Sequence, residues 1–199
     1  MNNKALNCVI CGVGGQGNVL ASRLIAHVLM ERGEHVKTAE TIGMAQRGGS
    51  VASHVRGGRP HSPLVPKHSA DLLIAFEPAE ALRCLDHLAP SGSILVNTQA
   101  VQPTSAALTG ISYDGSKQLE YLREFAKQNK NIKLVEVDGE FYCEQAGSMR
   151  VLNICMLAAA CKYDFLPFGR EELETAMRSM VKEKFHDLNL RAIDGVFSS

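Results

Sequence analysis

The chain has 199 residues, of which 45% are hydrophobic and 21% charged, with Lys plus Arg and Asp plus Glu equal at 21 each. A chain of this length can bury its own core, and the composition excludes a disordered tail, a collagen-like repeat and a coiled coil. Zero net charge gives no global field for nucleic acid, and with no Trp and 6% aromatics a base-stacking surface is disfavoured.

In chain order, Met1 to Leu6 is short and polar with no cleavage-site pattern, so the expectation is a cytoplasmic chain without a signal peptide. Ala5 to Cys11 is an apolar, β-prone run ending at Gly12, and reads as the first strand. From Gln16 to Arg32 the apolar positions take helical spacing (Leu20, Leu24, Val28), and Gly33 stops the helix. His35 to Glu40 reads as the second strand, and a right-handed crossover predicts that it pairs in parallel with the first.

Thr41 to Ala70 is rich in Gly and Pro around one alternating run, Val51 to Arg56, and reads as loop, strand, loop. Asp71 to Glu77 predicts a buried strand, with Asp71 as its turn residue. Pro78 then opens a helix whose buried face is Ala81, Leu82, Leu85 and Leu88. Ser93 to Asn97 and Ile132 to Val137 predict further strands, flanking an amphipathic helix marked by Leu119, Leu122, Phe125 and Ala126. From Phe141 onward the signal is helical, broken near Pro167. Val151 to Cys161 is the longest apolar stretch, but Asn153 interrupts it and it is too short to span a bilayer. Alternating strands and helices predict an α/β fold with an open, mainly parallel sheet, as one domain over residues 1–199.

The six cysteines carry no metal-site spacing. Cys8 and Cys11 form a C-x-x-C inside a strand, where residues three apart face opposite ways. Cys155 and Cys161 diverge around a helix, and Cys84 and Cys143 read as isolated, so all six are expected to be small buried hydrophobes. The methionines at 149, 156, 177 and 180 follow helical spacing and read as core. Ser148 and Arg150 read as a solvated face or a partner contact.

Two motifs carry chemistry. Gly12-Val13-Gly14-Gly15-Gln16-Gly17 is a G-x-G-x-x-G between strand and helix, where glycines allow close backbone approach and helix N–H groups meet an anion. Glu40, 23 residues beyond Gly17, has the spacing of an acid that binds a ribose hydroxyl, so a dinucleotide site is one reading and a bare turn the other. The second motif runs from Thr41 through Gln46-Arg47-Gly48-Gly49-Ser50 to Ser53-His54-Val55-Arg56. It follows the second strand, and the carboxyl ends of strands in such sheets form the ligand crevice, so it should meet the first loop. Between Thr41 and Ala70 there is no acid, while Arg47, Arg56, Arg59 and Lys67 give a local positive patch suited to phosphate or an acidic partner.

Together, G-V-G-G-Q-G and T-I-G-M-A-Q-R-G-G-S-V-A-S-H-V-R resemble the gamma domain of the 2-oxoacid:ferredoxin oxidoreductases, most closely the beta (small) subunit type of the indolepyruvate enzymes. The resemblance covers nearly the whole chain and is specific in Gly12–Gly17 and Gly43–Arg56. It implies a Rossmann-like sheet with helices on both faces, and a large alpha subunit holding thiamine diphosphate, magnesium and iron–sulfur clusters. The implied reaction is oxidative decarboxylation of an aryl 2-oxoacid to its acyl-CoA, with electrons passed to ferredoxin through the complex. By the same resemblance Gly12, Gly14, Gly15, Gln16 and Gly17 form a phosphate-facing loop for coenzyme A. Gln46, Arg47, Gly48, Gly49 and Ser50 then form a second loop at the same crevice. No catalytic residue and no metal ligand is implied in this chain, and neither nucleic acid nor membrane is an expected partner. An NAD(P)-dependent dehydrogenase and a purely structural subunit that binds no nucleotide are the alternatives.

Overall fold

The computed structural model describes residues 5–43, 49–101 and 113–199. Strand β1 (Asn7–Val13) leads through the glycine turn into helix α1 (Asn18–Glu31), followed by β2 (Lys37–Ile42), β3 (Ser50–Arg56) and β4 (Ala70–Ala75). After these come α2 (Pro78–Arg83), β5 (Leu88–Asn97), α3 (Ser116–Gln128), β6 (Lys133–Val137) and α4 (Gly139–Ala146). Three further helices close the chain: α5 (Leu152–Lys162), α6 (Arg170–Met180) and α7 (His186–Ser198).

Among the described residues the six strands form one sheet in the order β2-β3-β1-β4-β5-β6. The ladders β1–β4, β4–β5 and β5–β6 are parallel, while β3 runs antiparallel to both of its neighbours. This corrects the expected β1–β2 pair: β2 does run in the direction of β1, but β3 is interposed between them. A crossover fixes direction and hand, not adjacency, and β3 returns at once from β2 to take the free edge of β1.

Alternation along the strands divides the core. Cys8, Ile10, Leu72, Ile74 and Leu95 face α1 and the helices α4 to α7, whereas Val9, Cys11, Leu73, Ala75, Ile94 and Val96 face α2 and α3. Helix α1 ends as the sequence predicts. Gly33 has φ 79°, and the amides of Gly33 and Glu34 return to the carbonyls of Met30 (2.8 Å) and Leu29 (3.0 Å), closing the last turn.

Helix α5 is buried on nearly every side, from Leu152 through Cys161. That burial, not a membrane, accounts for its apolar run; no helix of the described residues is long and apolar enough to cross a membrane. Two readings of apolar spacing are corrected. Leu88 opens β5, because α2 stops at Arg83 and a short 3-10 turn, Leu85–His87, separates them. Met156 and Met177 are core, but Met149 and Met180 are exposed. Asp71 is more than a turn residue, since its carboxylate accepts from the Asn7 amide (3.0 Å) and ties β4 to β1.

All six thiols are free and buried. Cys84 and Cys143 are not isolated in space: Cys84 meets Cys11, and Cys143 Sγ lies 3.9 Å from Cys155 Sγ. Burial raises the Cys8 thiol and pushes Cys161 up to about 12. The folded chain is therefore expected to resist iodoacetamide at all six positions and to take up six equivalents once denatured. A rapidly alkylated cysteine before unfolding would show that this burial is breached.

Candidate functional site

The carboxyl ends of β1, β4, β5 and β6 lie along one edge of the sheet, joined there by the start of β3. Both glycine motifs arrive at this edge. The Gly14 amide donates to the Gly49 carbonyl at 2.9 Å, so the two segments do meet as the sequence predicts. The Ser50 carbonyl accepts from the Gly43 amide (2.9 Å), closing the base of the turn between β2 and β3. Gln46, Arg47 and Gly48 lie outside the described residues.

Side-chain amides lace the edge together. Gln16 Oε1 accepts from the Val13 amide (2.7 Å) while its Nε2 donates to the Phe76 carbonyl (3.0 Å). Asn97 Nδ2 donates to the same carbonyl (3.1 Å), and Asn97 Oδ1 accepts from the Gly139 amide (3.0 Å). Four strand ends thus converge on one backbone oxygen and its neighbours. Gln16, expected to face a phosphate, has its side chain tied into this lattice instead.

The first loop also shows which glycines matter and why. Gly12 admits no Cβ because Gln16 Oε1, Asn18 Oδ1 and Phe76 Cβ would stand 2.6, 2.9 and 3.0 Å from it. Gly17 has φ 89° and faces Asn153 Nδ2 at 2.9 Å from a built Cβ, so both conformation and space demand glycine. Gly15 differs. Its φ is 105°, it is exposed, and nothing lies within 4 Å of a built Cβ. Gln16 and the N-cap Gly17 separate it from the first turn of α1, whose leading amides have no carbonyl of their own helix to bond. Gly15, Gly17 and that first turn therefore fit a phosphate group, whereas the Gly14 amide and the Gln16 side chain are already engaged.

Helix α2 supplies two buried carboxylates to the same edge. Glu77 is its N-cap, accepting from the Glu80 amide at 3.0 Å, with Pro78 in the first helical position. The other Glu77 oxygen accepts from the Tyr113 hydroxyl. Burial raises the Glu77 carboxyl above the usual range, against the pull of Tyr113 and the backbone donors. Glu80 Oε2 accepts from the Ser50 hydroxyl, and Glu80 Oε1 pairs with Arg83 Nε at 3.1 Å. Sequence reasoning misses both acids; the available signal is the Glu77-Pro78-x-Glu80 cap pattern.

The described members of the expected positive patch, Arg56, Arg59 and Lys67, do not gather at the crevice. β3 carries the chain away from the crevice, so Arg56 lies at the far edge, opposite Asn7, roughly 20 Å along the strand from Ser50. There it donates to Asn7 Oδ1 (2.8 Å) and the Ser62 carbonyl (2.9 Å). Arg59 lines a cavity at that far edge, and Lys67 pairs with Asp86 at 2.8 Å. His54 is buried within the sheet, where Nδ1 accepts from the Val65 amide (3.3 Å); burial and the neighbouring His87 lower its pKa. Arg47, the fourth of the expected cations, lies outside the described residues.

Glu40 is equally displaced. It lies exposed within β2, two strand spacings from β1 (roughly 9–10 Å) because β3 intervenes. A ribose held near the first glycine loop is not met by Glu40, which weighs against the dinucleotide reading as the spacing suggested it. Cavities of about 330 and 270 Å³ lie at the amino end of the sheet, beside the end of α1 and the start of β4, away from both loops.

A profile for the pyruvate ferredoxin/flavodoxin oxidoreductase family matches residues 7–198. The indolepyruvate oxidoreductase subunit IorB of Archaeoglobus fulgidus is 40% identical over 190 residues, covering 94% of this chain and 92% of that protein. Its counterpart in Methanothermobacter thermautotrophicus is 33% identical over 194 residues, with 97% and 96% covered. Among solved structures, a keto/oxoacid ferredoxin oxidoreductase gamma subunit from Geobacter sulfurreducens shares the fold with a TM-score of 0.66 at 21% identity, with 97% and 96% covered. A 2-oxoglutarate:ferredoxin oxidoreductase from Magnetococcus marinus, solved with coenzyme A and succinyl-CoA bound, shares it with a TM-score of 0.71 at 16% identity; 99% of this chain aligns with 31% of that one.

Proposed function

The chain belongs to the pyruvate ferredoxin/flavodoxin oxidoreductase family as a small-subunit type, and from that premise we propose that it completes the coenzyme A site of an indolepyruvate-type 2-oxoacid:ferredoxin oxidoreductase. The large alpha subunit, in this reading, carries thiamine diphosphate, magnesium and the iron–sulfur clusters. There the 2-oxoacid loses carbon dioxide, its acyl group passes to the coenzyme A thiol, and the electrons go singly to ferredoxin.

This chain, a single gamma-type domain over residues 1–199, supplies binding and orientation. Gly15, Gly17 and the leading amides of α1 face the phosphates, and Arg47 adds a planar cation from the second segment. The aryl substrate is supported by the indolepyruvate names of the relatives. The observation that supports the reading is the Gly14–Gly49 hydrogen bond, which brings the open glycine turn and the described end of the second glycine segment, Gly49–Ser50, to one edge of the sheet.

The test uses the complex with its large subunit. Arg47→Ala removes a charge-assisted contact worth about 1.5–3 kcal/mol, so the KM for coenzyme A is expected to rise from roughly tenfold to above a hundredfold while the subunits stay assembled. Weakened assembly, restored at high subunit concentration, would instead make Arg47 a partner contact. A variant that assembles and turns over like its parent would leave this chain a structural subunit. The isolated chain is expected to bind coenzyme A in preference to NADH or NADPH and to oxidise no 2-oxoacid alone; the reverse preference would restore the dehydrogenase reading.

A further inference from the structure

We propose that Ser50 and Glu80 are a positioning pair that sets the second glycine segment against the first and so tunes the affinity for coenzyme A, an inference that rests on the function proposed above. Ser50 is a junction. Its hydroxyl donates to Glu80, its carbonyl accepts from the Gly43 amide (2.9 Å), and the Gly49 carbonyl just before it accepts from the Gly14 amide (2.9 Å). Ser50 therefore closes the base of the β2–β3 connection beside the Gly14–Gly49 bond, at the point where the β1–β3 ladder, with Val13 opposite Ser50 and Gly12 opposite Val51, also joins the two segments.

Glu80 gives that junction a rigid reference. It is buried on α2, the helix capped by Glu77 and started by Pro78, so its reach is set by the sheet edge rather than by a mobile loop. Its second oxygen is braced by Arg83 Nε at 3.1 Å. Burying a carboxylate is costly unless its hydrogen bonds are made. An ionised acceptor holds a hydroxyl about twice as strongly as a neutral one. A buried acid aimed at a serine on another element thus gives direction, which an apolar contact at the same place would not supply. Since the Ser50 hydroxyl is engaged inward, its contribution to the ligand is indirect.

The experiment compares Ser50→Ala, Ser50→Thr, Glu80→Gln and the double variant Ser50→Ala/Glu80→Gln in the assembled complex, reading KM for coenzyme A, KM for the 2-oxoacid, kcat and the thermal midpoint. Ser50→Ala is expected to raise the KM for coenzyme A roughly tenfold, the scale of one buried hydrogen bond, with kcat at saturating coenzyme A and the KM for the 2-oxoacid little changed. Ser50→Thr, which keeps the hydroxyl, restores the parental value. Glu80→Gln shifts KM in the same direction, and the double variant is no worse than Ser50→Ala, because the acid acts through the hydroxyl.

An unchanged KM for coenzyme A, a fully additive double variant, or a common loss of every kinetic constant with the thermal midpoint would each overturn the pair. Arg47→Ala in the same assay separates the two failures. If it raises the KM for coenzyme A while Ser50→Ala does not, the positioning pair alone is wrong. If the KM for coenzyme A ignores Arg47→Ala and Gly15→Val as well, the site itself is misassigned and the pair falls with it.

Discussion

Gly12→Val is expected to destabilise the fold by roughly 2–6 kcal/mol, combining overpacking with the loss of buried hydrogen bonds at about 1–3 kcal/mol each. The reason is space, not backbone conformation, since Gly12 is not among the glycines with positive φ. A Cβ there would stand 2.6 Å from Gln16 Oε1, 2.9 Å from Asn18 Oδ1 and 3.0 Å from Phe76 Cβ. Gln16 cannot swing aside cheaply, because its two ends hold the Val13 amide and the Phe76 carbonyl. Asn18 is buried, with Nδ2 on the Val51 carbonyl at 3.4 Å. Urea denaturation of parent and variant measures the effect. A variant that unfolds within about 0.5 kcal/mol of the parent would mean that the lattice behind the loop yields freely.

Phe76→Ala is the second large effect, a loss of about 3–5 kcal/mol, as for other buried aromatic truncations. The Phe76 side chain is fully buried among the residues facing α1. Its main chain is fully bonded too: the amide donates to the Cys11 carbonyl (2.8 Å), and its carbonyl accepts from both Gln16 and Asn97. Truncation leaves a cavity beneath the oxygen on which the crevice edge converges. Phe76→Leu, which keeps most of the volume, is expected to lose less than about 1.5 kcal/mol. Chemical denaturation read by circular dichroism distinguishes the two. A loss below about 1 kcal/mol for alanine would show that the main-chain lattice holds the edge without the ring.

The parts of this fold legible in sequence are those set by local rules. The apolar run before Gly12, the four-residue spacing through Leu24 and Val28, and Gly33 at a left-handed stop are read from neighbours in the chain, and all three stand in the structure. The order of strands is not local. Nothing in Ser50–Arg56 itself records that it lies between β1 and β2, because an alternating strand serves either neighbour equally well. Leu88 misleads for a related reason: a helical apolar spacing continues across a 3-10 turn into the next strand.

At the site, the meeting of the two glycine segments is legible because both follow strands whose carboxyl ends share an edge. The positive patch is not, since an antiparallel strand carries Arg56 away from the crevice and Lys67 is paired with Asp86. The buried acids are hidden too. A glutamate at a cap looks like any solvated one until the fold covers it, and only the packing of α2 on the sheet covers Glu77 and Glu80.

The interposed β3 governs how such a crevice can be varied. In an unbroken parallel order, the segment after β2 would have to carry the chain back across the sheet, and its length would be constrained by that journey. Here it joins two adjacent antiparallel strands, with the ladder held on one side by β2 and on the other by β1, from Val13 opposite Ser50 to Asn7 opposite Arg56. The two ladders keep the register of β3 whatever the number of residues that precede it, since a slip would turn its buried side chains to the wrong face. The chain between β2 and β3 can thus diverge in length and charge between related proteins while the glycine turn after β1 and the core beneath keep their form.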